Sequence, residues 1–176
     1  MHTPLHTPRL TLRQPVAADA ESIFTRYASD PQVTRFMAWP THRSIADTRA
    51  FLEFCDAQWE RGPVGSYLIV RSTDNLLLGA TGLDCETPAR AETGYVLARD
   101  AWDQGYATEA LVAMVTLART LGVLELSAGV HPDHPASIRV LEKGGFRLLE
   151  RRPRTTGFPN LEPGLTQDLL VYGRAP

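Results

Sequence analysis

The sequence lacks most of the features that would commit it to a membrane, a metal or a nucleic acid. It contains no run of 18 apolar residues, so no transmembrane helix is expected. Residues Met1 to His6 hold no apolar stretch of the kind a secretory signal uses, and a cytoplasmic location is expected. Only two cysteines occur, Cys55 and Cys85, without the spacing of a metal or redox motif. Cys55 falls on the apolar side of an expected helix and reads as a small core residue. The five histidines make no metal-ligand spacing with the scattered carboxylates, so no metal is expected. A net charge of -2 exerts no overall pull toward nucleic acid or an anionic membrane, and neither is expected as a partner. Arg147, Arg151, Arg152 and Arg154 read as a solvated strand face. Internal repeats and low-complexity tracts are missing as well. So are the further glycines of a dinucleotide fingerprint or Walker loop.

What is present is an ordinary globular composition, 43% hydrophobic and 22% charged over 176 residues. That length supports a single domain, residues 1–176, with a core that needs no metal or disulfide. The most informative stretch is Trp102-Asp103-Gln104-Gly105-Tyr106-Ala107-Thr108-Glu109-Ala110. After it, Leu111, Met114, Val115, Ala118 and Leu121 follow the spacing of one helical face, and Gly122 suits the stop. Before it, Glu92 to Leu97 alternates as a strand. The unit is therefore strand, glycine turn, helix. A helix N-terminus behind a glycine presents outward amides and the positive dipole end, which favours an anion such as a phosphate. A β-carbon at Gly105 is expected to intrude on that anion.

The remaining elements follow from similar signals. Leu10 to Arg13 alternates as a strand, and Pro15 precedes a helix carrying Ala20, Ile23, Phe24 and Tyr27. Ser44 to Asp47 forms a capping box that opens a long helix striped with Ile45, Thr48, Leu52, Cys55 and Trp59 and closed by Gly62-Pro63. Strands are expected at Tyr67–Arg71, Leu76–Gly82, Leu124–Val130, Phe146–Arg151 and Asp168–Tyr172, with a short helix at Pro135–Lys143. Pro153 to Thr166 is expected to be a long loop, and loops of that length are often functional. Strands and helices are mixed without strict alternation, which predicts an α/β (α+β) mixed sheet with helices on both faces.

Two motifs carry a family resemblance. Trp102-x-x-Gly105-x-Ala107 resembles the Gln/Arg-x-x-Gly-x-Gly/Ala phosphate loop of the GNAT acetyltransferase superfamily. The stretch His134-Pro135-Ala136-Ser137 through Glu142-Lys143-Gly144-Gly145-Phe146 resembles that family's Asn-x-x-Ser…Glu-Lys-x-Gly-Phe. Trp102 in place of Gln or Arg, and the wording Gln-Gly-Tyr-Ala-Thr-Glu-Ala, resemble its ribosomal-protein N-terminal acetyltransferase branch (RimJ/RimL-like). The likeness runs from about Arg9 to about Arg174.

The resemblance implies a mostly antiparallel sheet splayed between two parallel strands, here Glu92–Leu97 and Leu124–Val130. It implies acetyl-CoA as co-substrate and direct transfer of the acetyl group to an amine, either a peptide N-terminus or a small molecule. Cofactor-binding candidates are the backbones of Val96 and Leu97, the turn residues Gln104, Gly105, Tyr106, Ala107 and Thr108, and His134 and Ser137. Glu92 is the candidate general base. Ser137 is the candidate acid, because the tyrosine other branches place late in the second motif is Leu141 here. His134 replaces the family's Asn, and Asp133 is the candidate to cap the helix instead. Phe36 and Trp39 are candidates for the acceptor side, and so are Phe158 and Glu162 of the long loop. A non-catalytic acyl-CoA-binding regulatory module is the alternative. The sequence leaves homodimer formation open.

Overall fold

The computed structural model describes residues 3–176. Within them lie eight strands, β1 (Leu5–His6), β2 (Leu10–Arg13), β3 (Ser66–Arg71), β4 (Leu77–Thr87), β5 (Arg90–Leu97), β6 (Glu125–Val130), β7 (Arg147–Gly157) and β8 (Thr166–Arg174). They form one mixed sheet in the order β1-β2-β3-β4-β5-β6-β8-β7. Every neighbouring pair is antiparallel except β5 and β6, which run parallel. That pair is short. Arg90, Ala91 and Glu92 face Glu125, Leu126 and Ser127, and the register stops there. Above Glu92 the two strands part.

Helices cover both faces. The principal ones are α1 (Ala20–Ile23), α2 (Pro31–Thr34), α3 (Ile45–Arg61), α4 (Tyr106–Thr120) and α5 (Pro135–Lys143). Strand β3 is buried on both sides, and its run Tyr67-Leu68-Ile69-Val70 is continuously apolar for that reason. Tyr67 and Ile69 pack in one core with Leu111, Met114 and Val115 of α4. Leu68 and Val70 pack in the other with Ile23, Tyr27 and Leu52 from α1, the turn after it and α3. The stripe on α3 is as expected: Thr48, Leu52, Cys55 and Trp59 are its buried residues. At its start the Asp47 carboxylate accepts from the amides of Arg43 and Ser44 at 2.8 and 3.0 Å.

Two stretches differ from the expectation. The helix around Tyr27 is not uniform. A 3₁₀ turn (Ala17–Asp19) leads into α1, and a π-helical turn (Phe24–Ala28) follows it, closed by the Ser29 amide on the Phe24 carbonyl at 3.1 Å. The expected loop from Pro153 to Thr166 is shorter in the structure, since β7 runs on to Gly157 and β8 begins at Thr166. The pairing accommodates Pro153 through a register shift between Arg152 and Thr156, with Arg154 at φ 49°. Because β7 lies at the edge of the sheet, a proline and a bulge are tolerated there.

The β7–β8 connection, residues 158–165, reaches back to the segment after α2. Asn160 bonds that segment four times. Its amide nitrogen donates to the Thr34 and Trp39 carbonyls at 2.7 and 2.8 Å, and its oxygen accepts from Thr41 N and Oγ1 at 2.8 and 3.0 Å. A single side chain thereby fixes a loop more than a hundred residues away. Replacing Asn160 with Ala should lower unfolding stability by about 1–3 kcal/mol and speed amide exchange across residues 35–42. Urea titration and hydrogen exchange would measure both, and an unchanged midpoint with unchanged exchange would contradict this role.

Candidate active site

The parting of β5 from β6 leaves an edge of backbone without a strand partner. Peptide groups alternate in direction along a strand, so every second residue of β5 faces β4 and the others face the gap. The Gly94 carbonyl accepts from Thr81 Oγ1, and the Ala98 amide donates to Leu78, which puts the even-numbered positions toward β4. Thr93, Tyr95 and Leu97 therefore turn their backbone groups to the gap. The Leu97 carbonyl is taken by the Trp102 indole N–H at 2.8 Å. Val96, expected to offer its backbone, faces β4 instead and contributes its side chain.

Gly105 is the N-cap of α4 with φ 80°, a left-handed conformation. Among protein atoms, a β-carbon built there would meet only Arg9 Nη2, at 3.4 Å. The requirement for glycine is thus conformational, since other L-residues occupy this region at a cost. No side chain caps α4, so its first amides stay available. Arg9 braces the turn from β2's side: its Nη1 donates to the Gln104 carbonyl at 2.9 Å and its Nε to Glu109 at 2.6 Å. The Thr7 hydroxyl and Arg9 amide bond the same carboxylate at 2.6 and 2.9 Å. Burial alone would push the Glu109 carboxyl up, but these bonds together hold it below its ordinary range.

A cleft of ≈ 590 Å³ runs along this edge, lined by Gly105, Tyr106, Ala107 and Thr108 of the turn, by Tyr95, Val96 and Leu97 of β5, and by His134 and Ser137. Of the nine positions singled out for the cofactor, Gln104 alone does not line it. The Gln104 side chain donates to the Asp100 carbonyl at 2.6 Å. Three cations that the sequence reading gave no role, Arg35, Arg139 and Lys143, do line it. Arg139 and Lys143 stand four residues apart on α5, a spacing visible in the sequence. Uncapped helix amides, a free strand edge and three cations fit a long ligand that carries phosphates at one end and peptide-like groups along its length.

A second cavity, ≈ 580 Å³, lies on the α1–α3 face of the sheet. Phe36, Trp39 and Phe158 line it, as do Asp84, Glu92 and Gly94. Glu162 does not. The two cavities share Phe36, Met37, Tyr95, Val96, His134 and Ser137, so they meet at one place. There Ser137 Oγ and the Tyr95 hydroxyl lie 2.9 Å apart, and the hydroxyl is also 3.0 Å from the Ser137 carbonyl. Burial raises the Tyr95 phenol to about 12, against the opposing bond from Ser137, so it stays a proton donor at neutral pH. Leu141 is buried in the core.

His134 forms the N-cap of α5 without a side-chain bond to it. Its ring stacks on Phe36 with centroids 4.6 Å apart. Burial, with His131 nearby, lowers its pKa to about 4, leaving the imidazole neutral. Glu92 stands directly across from Asp84 on β4. Glu92 is exposed as a residue but lines the cavity, whose walls partly desolvate its carboxylate. That desolvation comes first, and Glu86 and Asp84 add to it, raising the pKa against the Gly129 amide and Arg152. Four residues of strand separate Glu92 from Val96, about 13 Å between their Cα atoms. Glu92 therefore lines the second cavity away from the junction. Among the described residues, no group of His, Cys, Asp and Glu is placed to hold a metal, and no helix is long and apolar enough to cross a membrane.

Comparisons with known proteins agree with this geometry. A family model described as an acetyltransferase (GNAT) domain matches residues 9–147. The chain is 31% identical over 147 residues to an uncharacterized N-acetyltransferase, p20, of Bacillus licheniformis, covering 81% of this chain and 82% of that protein. Among solved structures, a RimL ribosomal L7/L12 alpha-N-protein acetyltransferase in complex with coenzyme A aligns at TM-score 0.83 and 20% identity over 98% of each chain. The microcin C7 self-immunity acetyltransferase MccE, in complex with acetyl-CoA and AMP, aligns at 0.84 and 19% over 97% of this chain and 94% of that one. At such identities the structural likeness speaks for the fold.

Gly105→Val should keep the fold while losing about 1–2 kcal/mol of stability to the left-handed conformation. Its affinity for coenzyme A, read by calorimetry, should fall at least about tenfold because the turn's amides are displaced. Wild-type affinity in the folded variant would remove the turn from the ligand site.

Proposed function

Because this chain belongs to the GNAT acetyltransferase family, we propose that it moves the acetyl group of acetyl-CoA onto a primary amine by direct attack. The amine belongs to a peptide N-terminus or to a small molecule. One observation carries the reading. A cofactor-shaped cleft and a separate cavity open onto the same few residues. A protein that only bound acyl-CoA would need the first and have no use for the second, so the binding-module alternative is the weaker one.

Acetyl-CoA supplies an activated acyl group as a thioester. The first amides of α4 receive the pyrophosphate, and Arg35, Arg139 and Lys143 neutralise the remaining phosphate charge. Backbone groups of Thr93, Tyr95 and Leu97 bond the pantetheine arm as an added strand would. Ser137 Oγ donates a hydrogen bond to the departing sulfur, and the Tyr95 hydroxyl orients that donor. The neutral His134 ring, stacked on Phe36, walls the junction without adding a charge that would repel a cationic amine.

An attacking amine must be neutral. A peptide α-amine, with a pKa of about 7.7–8.0, is partly neutral near pH 7.5, whereas a lysine side chain at about 10.4 is almost wholly charged. Glu92 takes the proton, and its distance from the junction routes that proton through water in the acceptor cavity. RimL is described as acting on a protein α-amine and MccE as a microcin self-immunity acetyltransferase. The α-amine named for RimL falls within the proposed class.

Glu92→Gln keeps the shape and cannot accept the proton. It should lower kcat by about 10²–10⁴-fold and leave acetyl-CoA affinity unchanged. A base works only when deprotonated, so activity should fall as pH drops through the Glu92 pKa. The acidic limb of the wild type should then lie above the ordinary carboxylate range, and Glu92→Gln should abolish it. Recovery at high pH should be fuller with an α-amine than with a lysine acceptor. A variant with wild-type kcat and the same acidic limb would mean that solvent or another group removes the proton.

A further inference from the structure

Gly94 is a glycine that the fold does not ask for. It lies in the middle of β5 without a positive φ, and a β-carbon built on it would meet nothing within 4 Å. Its partner across the ladder, Gly82, is different, because a β-carbon there would lie 2.8 Å from the Gly65 carbonyl. Packing therefore explains Gly82 and leaves Gly94 unexplained. Glycine within a strand costs stability, and where no bulge or clash accounts for it, the close approach of a ligand does.

The direction of that approach is defined. Gly94 lines the acceptor cavity and not the cofactor cleft. Glu92 and Asp84 flank it on one side, and Val96 at the junction lies on the other. The walls above are planar. Trp39 and His42 lie with ring centroids 5.3 Å apart, and Phe36, stacked on His134, lines the same cavity. The nearest cation, Arg152, is already paired with Glu150 at 2.7 Å, so the two carboxylates leave this end of the cavity favourable to positive charge.

Resting on the transferase reading above, we infer that Gly94 is the seat of the acceptor, and that the acceptor is a primary amine carried on a flat apolar ring. The ring lies on the bare strand at Gly94 between the aromatic walls. Two residues of strand, about 7 Å, separate Gly94 from Val96. A two-carbon arm thus brings the amine from the ring to the junction beside Tyr95 and Ser137. Asp84 and Glu92 attract the cationic amine into the cavity as a whole, and its proton passes through water to the Glu92 carboxylate before it attacks.

Two amines with the same carbon count and charge test this, 2-phenylethylamine and n-octylamine. With the wild type, kcat/KM should be at least about tenfold higher for the ring amine. Gly94→Val should raise the KM for 2-phenylethylamine at least about tenfold, with Gly94→Ala intermediate. The Kd for acetyl-CoA should change less than twofold in both variants. Equal use of the two amines, or an unchanged KM in Gly94→Val, would overturn the seat. So would a change in preference between acetyl-CoA and hexanoyl-CoA without a change for the amine, since the cavity would then hold the acyl chain. If the wild type acetylates neither amine, the transferase reading fails for this class, and the seat is judged by titration alone. Binding of 2-phenylethylamine to the protein saturated with acetyl-CoA, lost in Gly94→Val, would support it. No binding to the wild type would overturn it.

Discussion

The separation of β5 from β6 above Glu92 and Ser127 is the constraint on which the rest of the molecule depends. Backbone amides and carbonyls inside a protein need partners. Below that point the parallel ladder supplies them, and above it one side of β5 has none within the sheet. The consequence is a strand edge held rigid by β4 on one side and free to bond a ligand on the other. The α4 turn then stands at the end of the opening, with uncapped amides where an anionic group would arrive. Its geometry is left-handed at Gly105 and is braced by Arg9 and Glu109 from the far end of the sheet. None of these parts binds much alone. Together they match the length and charge distribution of one extended, phosphate-bearing ligand.

The same separation explains where the two cavities meet. Residues on β5 alternate between faces, so Tyr95 reaches α5 and Ser137 while Gly94 and Val96 look into the opposite cavity. Only at the gap do the two faces communicate. In the second cavity, the wall is built from segments distant in sequence and is held by aromatic contacts and by Asn160. Phe36 stacks on His134, His131 packs edge-on to Phe158 at 4.8 Å, and Asn160 ties the β7–β8 connection to the segment after α2. That wall is consequently a single unit, and its planar lining gives the cavity its shape.

Much of this was legible in the sequence, and what was not has identifiable causes. Helix signals are local, so the start of α4 at Gly105, the span Pro135–Lys143 and the Asp47 cap could be read from spacing alone. Two motifs in the right order were enough for the family. The direction of the β5 backbone was not readable, because parity depends on register with β4, and so the binding edge falls to Tyr95 and Leu97 more than to Val96. Pro153 read as a loop because the sequence does not say that β7 is an edge strand, where a bulge absorbs a proline. Gln104 sits inside the motif but is spent bracing the turn. Asn160 and Arg9 act across more than ninety residues of chain, and no spacing rule reaches that far. Tyr95 had no role assigned from the sequence, and its proximity to Ser137 emerges once α5 is packed on the sheet.

The central claim is that the open edge of β5 and the first turn of α4 form one binding surface for acetyl-CoA. Amide hydrogen exchange, measured with and without saturating acetyl-CoA, tests it residue by residue. The account predicts slowed exchange at Tyr95 and Leu97 and across residues 105–108, with β2 and β3 unaffected. Protection confined to other segments, or no protection at β5 and α4 at concentrations where acetyl-CoA is bound, would contradict it.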